Sequence, residues 1–467
     1  MLLRPTAEEW RIVSYYLGRV MLAAAGVTAV PLVWALAGRE WGPASSFTLT
    51  AGVFALTGAL ATVRRPAGAR LDWRRGLVMA ALAWLIVPAI GSLPLALSGH
   101  FGDPLDAYFE AVSGVTTTGL SLVQDLDHLA PSLNLWRHLL QFMGGLAMVL
   151  CAATVFADRA GLFSFHAEGR EERILPSAAS SARFISRVAL VHVAAGVAVL
   201  GAVAYFTLGV GPGRSAFHGL LVALSAFSTG GFAPQSTSVG YYHSGVFEAA
   251  TAVFMLAGAM SIGLHYVLWR GRRRLRLLRN VETRSALLSG LAMLVLTFLG
   301  LGALGLYTGV GSLARQGLFQ VVSAHTTSGF TTLGVTELGG WTGLAFAGIT
   351  LAMALGGMTA SAAGGVKALR VGLTLKLLKD QVRALLLPER AVVSQAYYQS
   401  GRRRLTPPLA QWVMTLSLLF VVLYLFGAGV GLAYGYPLHE ALAESVSAAS
   451  TTGLSFGITS PSMPILL

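Results

Sequence analysis

Long apolar stretches separated by short polar connectors run the length of the chain. Membrane spans are predicted near residues 12–37, 46–63, 76–97, 133–156, 186–209, 244–269, 285–308, 341–380 and 409–433. Each offers about 20 mostly apolar residues, the number needed to cross a hydrocarbon core of roughly 30 Å. The first is too long for a cleavable signal and a second follows at once. The stretch from Trp341 to Lys379 does not fit one span: as a continuous helix it would run about 59 Å at roughly 1.5 Å per residue. Gly356-Gly357 and Gly364-Gly365 interrupt it, so a broken helix with an irregular centre is expected. Such backbone persists at membrane depth only where it is buried in protein or lines water.

Composition agrees with this pattern and excludes a soluble enzyme. The 467 residues are 55% hydrophobic and only 11% charged, with a mean hydropathy of +0.67; soluble domains carry about 25% charged residues. The net charge of +13 does not point to nucleic acid, because the basic residues sit in short runs between apolar stretches. Arg64, Arg65, Arg70, Arg74 and Arg75 share one connector. Arg270, Arg272, Arg273, Arg274, Arg276, Arg279 and Arg284 fill a second, and Arg402, Arg403 and Arg404 a third. Asp103, Asp106, Asp125, Asp127, Glu337 and Glu440 lie in the opposite connectors. The positive-inside rule then places the basic connectors and the N-terminus in the cytoplasm. A single cysteine, Cys151, excludes a disulfide framework.

A fourfold internal repeat carries the candidate chemistry. Ser113-Gly114-Val115-Thr116-Thr117-Thr118-Gly119-Leu120, Ser225-Ala226-Phe227-Ser228-Thr229-Gly230-Gly231-Phe232, Ser323-Ala324-His325-Thr326-Thr327-Ser328-Gly329-Phe330 and Ser447-Ala448-Ala449-Ser450-Thr451-Thr452-Gly453-Leu454 share one order of residues. Each follows a span on the non-cytoplasmic side and a short, weakly polar helical stretch. A re-entrant helix of this kind aims its C-terminal dipole end, about half a negative charge, at the centre. The loop beyond it turns carbonyls inward to replace an ion's hydration shell, and glycine supplies backbone angles that a side chain forbids. The unit reads as a cation pathway. Small-residue helix packing accounts for one such run but not for four in matching topological places.

These four loops, each with one glycine in register, resemble the Trk/Ktr/HKT superfamily of potassium transporters. The segment from Gly356 through Met358, Thr359, Ala360, Ser361, Ala362, Gly364 and Gly365 to Lys367 and Arg370 is similar to that family's intramembrane loop. Two extra N-terminal spans fit its TrkH branch. The resemblance implies an all-α polytopic membrane protein with four pseudo-symmetric helix–pore-loop–helix units around a central pore. The division expected is an N-terminal two-helix hairpin over 1–69, followed by pore units over 70–160, 161–279, 280–385 and 386–467. It implies potassium uptake through a filter built from Thr116, Thr117, Thr118 and Gly119, from Ser228, Thr229, Gly230 and Gly231, from Thr326, Thr327, Ser328 and Gly329, and from Ser450, Thr451, Thr452 and Gly453. The gate would be the loop containing Gly356, Gly357, Thr359, Ser361, Gly364, Gly365 and Lys367. A homodimer, surrounding membrane lipid and a cytosolic nucleotide-binding regulatory subunit of the TrkA kind are implied as partners. K+ is the transported ion, and no cofactor is expected in this chain. Ala360 and Ala362 stand where many members carry Gly and Thr. Only 13 residues follow Leu454, too few for a return span, so the last helix of unit four and the family's pore arginine are expected to be missing from this chain. Sodium or mixed cation transport on the same fold is the alternative, and a non-conducting receptor or scaffold is the alternative from another class. Glycine at all four filter positions favours potassium.

Single residues add detail. Glu110, Gln320 and Glu444 each lie nine residues before the glycine of their repeat, with Val222 at that place in the second. They read as acceptors bracing the filter backbone, or as solvated residues at the pore mouth. His325 reads as a packing histidine before a pH sensor. Lys367 and Arg370 set the pore's cytoplasmic electrostatics or snorkel at the interface. Gly300-Leu301-Gly302-Ala303-Leu304-Gly305 matches a dinucleotide pattern and Gly453-Leu454-Ser455-Phe456-Gly457 a nucleophile elbow. Neither has the required strand before it.

Overall fold

The computed structural model describes residues 6–64, 66, 71–123, 125–154, 178–270, 278–305, 307, 309–388, 396–399 and 401–464. Arg65 and Arg70, and the run Arg272, Arg273, Arg274 and Arg276, lie outside them. Helices build the fold in this order: α1 Ala7–Ala37, α2 Trp41–Thr62, α3 Trp73–Gly91, α4 Leu93–Ala96, α5 Pro104–Val115, α6 Pro131–Thr154, α7 Ala178–Leu208, α8 Pro212–Phe227, α9 Gly245–Ala259, α10 Ile262–Arg270, α11 Val281–Leu304, α12 Val310–His325, α13 Val335–Gly339, α14 Gly343–Ala354, α15 Ala368–Leu386, α16 Pro407–Ala433 and α17 Leu438–Ala449. A small antiparallel hairpin, β1 Ala396–Tyr398 with β2 Arg402–Arg404, precedes α16.

Six helices among the described residues are long and apolar enough to cross a membrane, and a bent pair makes a seventh. Helix starts follow from local sequence. Thr6 and Glu9 form a capping box at α1, and Asp72, Asp103, Ser244 and Asn280 accept from the first-turn amides of α3, α5, α9 and α11. Hydroxyls within the spans return to their own helix: Thr28 donates to the Ala24 carbonyl and Thr50 to the Ser46 carbonyl. The lipid-facing helices therefore present little unpaired polarity. Helices α1 and α2 form a tight hairpin, because glycines let the two backbones meet. A Cβ on Gly58 would come within 2.9 Å of the Gly18 carbonyl oxygen.

Helix α6 is continuous over the expected span at 133–156 as far as Thr154 and carries Asn134, Arg137, His138 and Gln141 buried on its inner side. The expected continuous span over 244–269 is bent by 106° between α9 and α10, where Met260 is extended and Ser261 caps α10. The 341–380 stretch is interrupted, as its length requires: α14 ends at Ala354 and α15 begins at Ala368. The two breaks satisfy each other. The Met358 amide donates to the Ala259 carbonyl at 2.9 Å, and the Ile262 amide donates to the Ala360 carbonyl at 3.3 Å.

The dinucleotide-like glycines have a packing reason. A Cβ on Gly300 would overlap the backbone of Ala345, so α11 and α14 touch there; Gly302 faces open space, and Gly305 closes α11 with φ +63°. Gly300→Val is expected to cost about 1–3 kcal/mol by overpacking and to lower the unfolding midpoint in detergent. Gly302→Ala, measured beside it, is expected to leave that midpoint in place.

Candidate functional site

Four short helices, α5, α8, α12 and α17, end at the repeated Ser/Thr/Gly segments, and each ends in the same way. The Thr118 amide donates to the Ser113 carbonyl and the Thr117 amide to Gly114. The matching pairs are Gly230 to Ser225 and Thr229 to Ala226, Ser328 to Ser323 and Thr327 to Ala324, and Thr452 to Ser447 and Thr451 to Ala448. This 6→1 and 5→2 pairing is the Schellman closure, which needs one residue in the left-handed region and usually takes glycine there. Here the position is Thr117 (φ +57°), Thr229 (+50°), Thr327 (+51°) and Thr451 (+54°). A β-branched residue with positive φ is a true outlier, at a cost of about 1–3 kcal/mol each. Four in register mark a backbone held by its surroundings.

Two residues later the backbone turns left-handed again, at Gly119 (φ +85°), Gly231 (+80°), Gly329 (+74°) and Gly453 (+84°). Alternating signs of φ turn successive carbonyls to one side of the chain. The glycines are obligatory, because a Cβ on Gly119 would overlap the Gly230 carbonyl. Likewise one on Gly231 would overlap the Ser328 carbonyl, one on Gly329 that of Thr452, and one on Gly453 that of Thr118. Each loop abuts the next, and the fourth abuts the first. The four segments close a ring, in chain order, with the C-terminal ends of four helices directed at it.

Hydroxyl pairs brace three of the loops from within, Thr116 with Thr118 at 2.8 Å, Thr326 with Ser328 at 2.9 Å and Ser450 with Thr452 at 2.7 Å, and in the second the Thr229 hydroxyl donates to the Ser228 carbonyl at 2.8 Å. Glu110, Gln320 and Glu444 are all buried. Glu110 accepts from the Ser121 hydroxyl and the Leu122 amide, both at 2.9 Å. Glu444 accepts from the Ser455 hydroxyl at 2.7 Å, the Phe456 amide at 3.0 Å and the Thr459 amide at 2.8 Å. Gln320 donates to the Thr331 hydroxyl at 2.8 Å. All reach the segment that leaves the ring, 11 or 12 residues on, and Glu444 also reaches the amide 15 residues on. The second repeat has Ala233 and Pro234 at those places, which offer neither a hydroxyl nor a twelfth-position amide, and Val222 accordingly has nothing to bond.

The interrupted helix supplies the floor. The Gly364 amide donates to the Thr327 hydroxyl at 2.8 Å, and a Cβ on Gly364 would overlap the Ser450 carbonyl. The loop therefore touches the third and fourth segments of the ring. Its near arm is held by the buried Glu282, which accepts from the Thr359 amide. Ser361 donates to the Met358 carbonyl at 2.5 Å, and Lys367 donates within the loop to the Ala363 carbonyl. Gly356 and Gly357 allow its two arms to close: side chains there would overlap Gly364 and crowd Ala363. Gly365 supplies φ +64°. Arg370 lies 6.0 Å over the Phe420 ring, and His325 pairs with the Ser289 hydroxyl at 2.8 Å.

Three elements escape the sequence reading. Arg137 makes a buried ion pair with Glu110, at 2.7 and 2.5 Å, and covers the Phe232 ring at 4.2 Å. Removing one member of such a pair costs about 3–5 kcal/mol. Its signal was available: a charged residue within an apolar stretch usually has a partner there. The Glu282 contact and the bend at Met260 had no local signal, since both depend on a loop far along the chain, which for the bend belongs to another repeat.

Known proteins extend this geometry. A family model described as TrkH, cation transport protein, matches residues 45–466. The chain is 30% identical over 387 residues to the Trk system potassium uptake protein TrkH of Halomonas elongata, covering 81% of this chain and 77% of that protein. It is 28% identical over 463 residues to the Trk system potassium uptake protein TrkI of the same organism, covering 97% and 89%. The crystal structure of the potassium transporter TrkH from Vibrio parahaemolyticus superposes with a TM-score of 0.82 at 24% identity, over 96% of this chain and 91% of that one, and shares its fold. A ring of four re-entrant loops inside a helical membrane protein, matched nearly end to end by that family's model, makes this chain a member of the TrkH family of cation transport proteins, a multi-pass cell-membrane protein and not an enzyme.

Proposed function

We propose that this chain takes up potassium across the cell membrane, as the names of its relatives describe for them, and that the ring of four loops is its selectivity filter. The observation that carries the reading is the closure of the ring: four glycines with positive φ, each against a carbonyl of the next repeat. Carbonyls of residues 116–119, 228–231, 326–329 and 450–453 are the ligands that replace the hydration shell. Four helix dipole ends add negative potential at the same place, which favours a monovalent cation without placing a formal charge on the axis. Glu110, Gln320 and Glu444 hold the outgoing strands so that the carbonyl spacing is maintained.

In this reading the loop from Gly356 to Gly365 is the gate. It lies against the ring's third and fourth segments, and it is tied to Glu282, Thr327, Ala259 and Ile262 by single hydrogen bonds. The pore units follow the repeats over 70–160, 161–279, 280–385 and 386–467, after a hairpin over 1–69. The N-terminus and the arginine-rich connectors face the cytosol by the positive-inside rule. A homodimer, with a cytosolic nucleotide-binding regulatory subunit acting on the gate, completes the proposed assembly. The nucleotide would bind that subunit.

Gly119→Ser is expected to relax K+/Na+ discrimination in proteoliposome flux with K+, Rb+ and Na+, because the added side chain strikes the Gly230 carbonyl. Unchanged permeability ratios after serine substitution at each of Gly119, Gly231, Gly329 and Gly453 would remove the filter assignment. Shortening the 356–365 loop, or Glu282→Gln, which weakens the bond to the Thr359 amide, is expected to raise basal K+ flux. Flux and regulation that stay at the parent level in both variants would make the loop a packing element.

A further inference from the structure

The second segment of the ring is built differently from the other three. In the first, third and fourth, the third filter residue carries a hydroxyl that bonds back to the residue ending the pore helix. The second has Gly230 there; the Ser228 hydroxyl donates back to its own helix, at Leu224 and Ser225, and the Ser228 carbonyl accepts from the Thr229 hydroxyl. The vacant place is filled from another repeat. A Cβ on Gly230 would overlap Cγ, Cδ and Nε2 of Gln141, a fully buried residue of α6, and Gln141 Nε2 donates to the Gly230 carbonyl at 2.7 Å.

Gln141 belongs to a ladder. Asn134 Nδ2 donates to the Pro234 carbonyl at 3.0 Å, and His138 Nε2 lies 3.2 Å from the Phe232 carbonyl oxygen. Positions i, i+4 and i+7 share one helix face, and here they meet the carbonyls of residues 234, 232 and 230, alternate residues of the segment that leaves the ring. Helix α6 is pressed into this register by Gly144 and Gly145: a side chain on the first would overlap the Val115 carbonyl, and one on the second would crowd Ser228. The corresponding places, three residues before Gly258 and Gly356, are Met255 and Met353, both buried. Those repeats face Ser328 and Thr452, which brace themselves.

We infer that Gln141 is a positioning and selectivity-determining residue of the filter, supplying from the first repeat the side-chain brace that Gly230 lacks in the second. This rests on the reading of the ring as the filter. Its amide holds the Gly230–Gly231 backbone, the one quarter of the ring without a hydroxyl pair between its first and third filter residues. It also draws on the Gly230 carbonyl, so that this ligand presents a weaker field to the ion than the carbonyls of Thr118, Ser328 and Thr452. A weaker field repays the dehydration of a small ion less well than that of a large one. Both effects act against Na+.

The test is K+/Na+ selectivity in proteoliposomes of the full chain, with Gly119→Ser as a control on the filter itself. Gln141→Met, which gives α6 the residue of the other repeats, is expected to lower the K+/Na+ permeability ratio roughly five-fold, the worth of one hydrogen bond. Gly230→Ser alone is expected to lose K+ flux through overlap with Gln141. Gln141→Met with Gly230→Ser rebuilds the junction found in the third repeat and is expected to regain the parent ratio. A parent ratio in Gln141→Met, while Gly119→Ser relaxes selectivity, would overturn the inference and leave the filter standing; no change in either would remove the filter itself. Should Gln141→Met fail to fold, the double variant still decides: folded and selective supports the brace, folded and unselective overturns it.

Discussion

A helix that stops inside a membrane releases backbone amides and carbonyls that no water can satisfy, and each left bare costs several kcal/mol. Most of this molecule's interior answers that constraint. The four short helices that end at the ring close on themselves, each using a threonine in a conformation that threonine rarely adopts. The two interrupted spans stop as well, and each takes the other's orphaned groups, Met358 with Ala259 and Ile262 with Ala360. The candidate gate is therefore also the means by which the bend in α9 and α10 is made tolerable.

Buried polar side chains take the same role where backbone alone does not reach. Glu110 and Glu444 sit in the same register of their repeats and accept from the same two positions of the outgoing strand. Their charges are met differently: Glu110 by the guanidinium of Arg137, Glu444 by a third donor, the Thr459 amide. Where no donor exists, at Pro234, the position reverts to valine. The repeat is conserved in its hydrogen-bond demand more closely than in its residues. One consequence is that an apparently fourfold ring rests on four different supports, and the weakest intrinsic support, at Gly230, is borrowed across a repeat boundary.

Class, spans, the fourfold repeat, the ring glycines and the interrupted helix were legible in the sequence because each rests on local chemistry. Apolar runs of sufficient length must sit in lipid. A glycine recurring at one place in a repeat answers a backbone angle that other residues resist, and a stretch of nearly 40 residues is too long for one crossing. Glu110, Gln320 and Glu444 stood out through their common offset from those glycines. Their partners did not, because the donors come 11 and 12 residues later on a strand whose path only the fold defines. The bend at Met260, the Glu282–Thr359 bond, the Arg137–Glu110 pair and the α6 ladder onto residues 230–234 were decided by tertiary structure alone. The bend and the ladder join groups from separate repeats, while the Glu282–Thr359 and Arg137–Glu110 contacts join elements far apart along one repeat. Which repeat stands beside which, and which face of a helix meets a neighbour's strand, is settled by packing four units around one axis, and no local pattern along the chain encodes that.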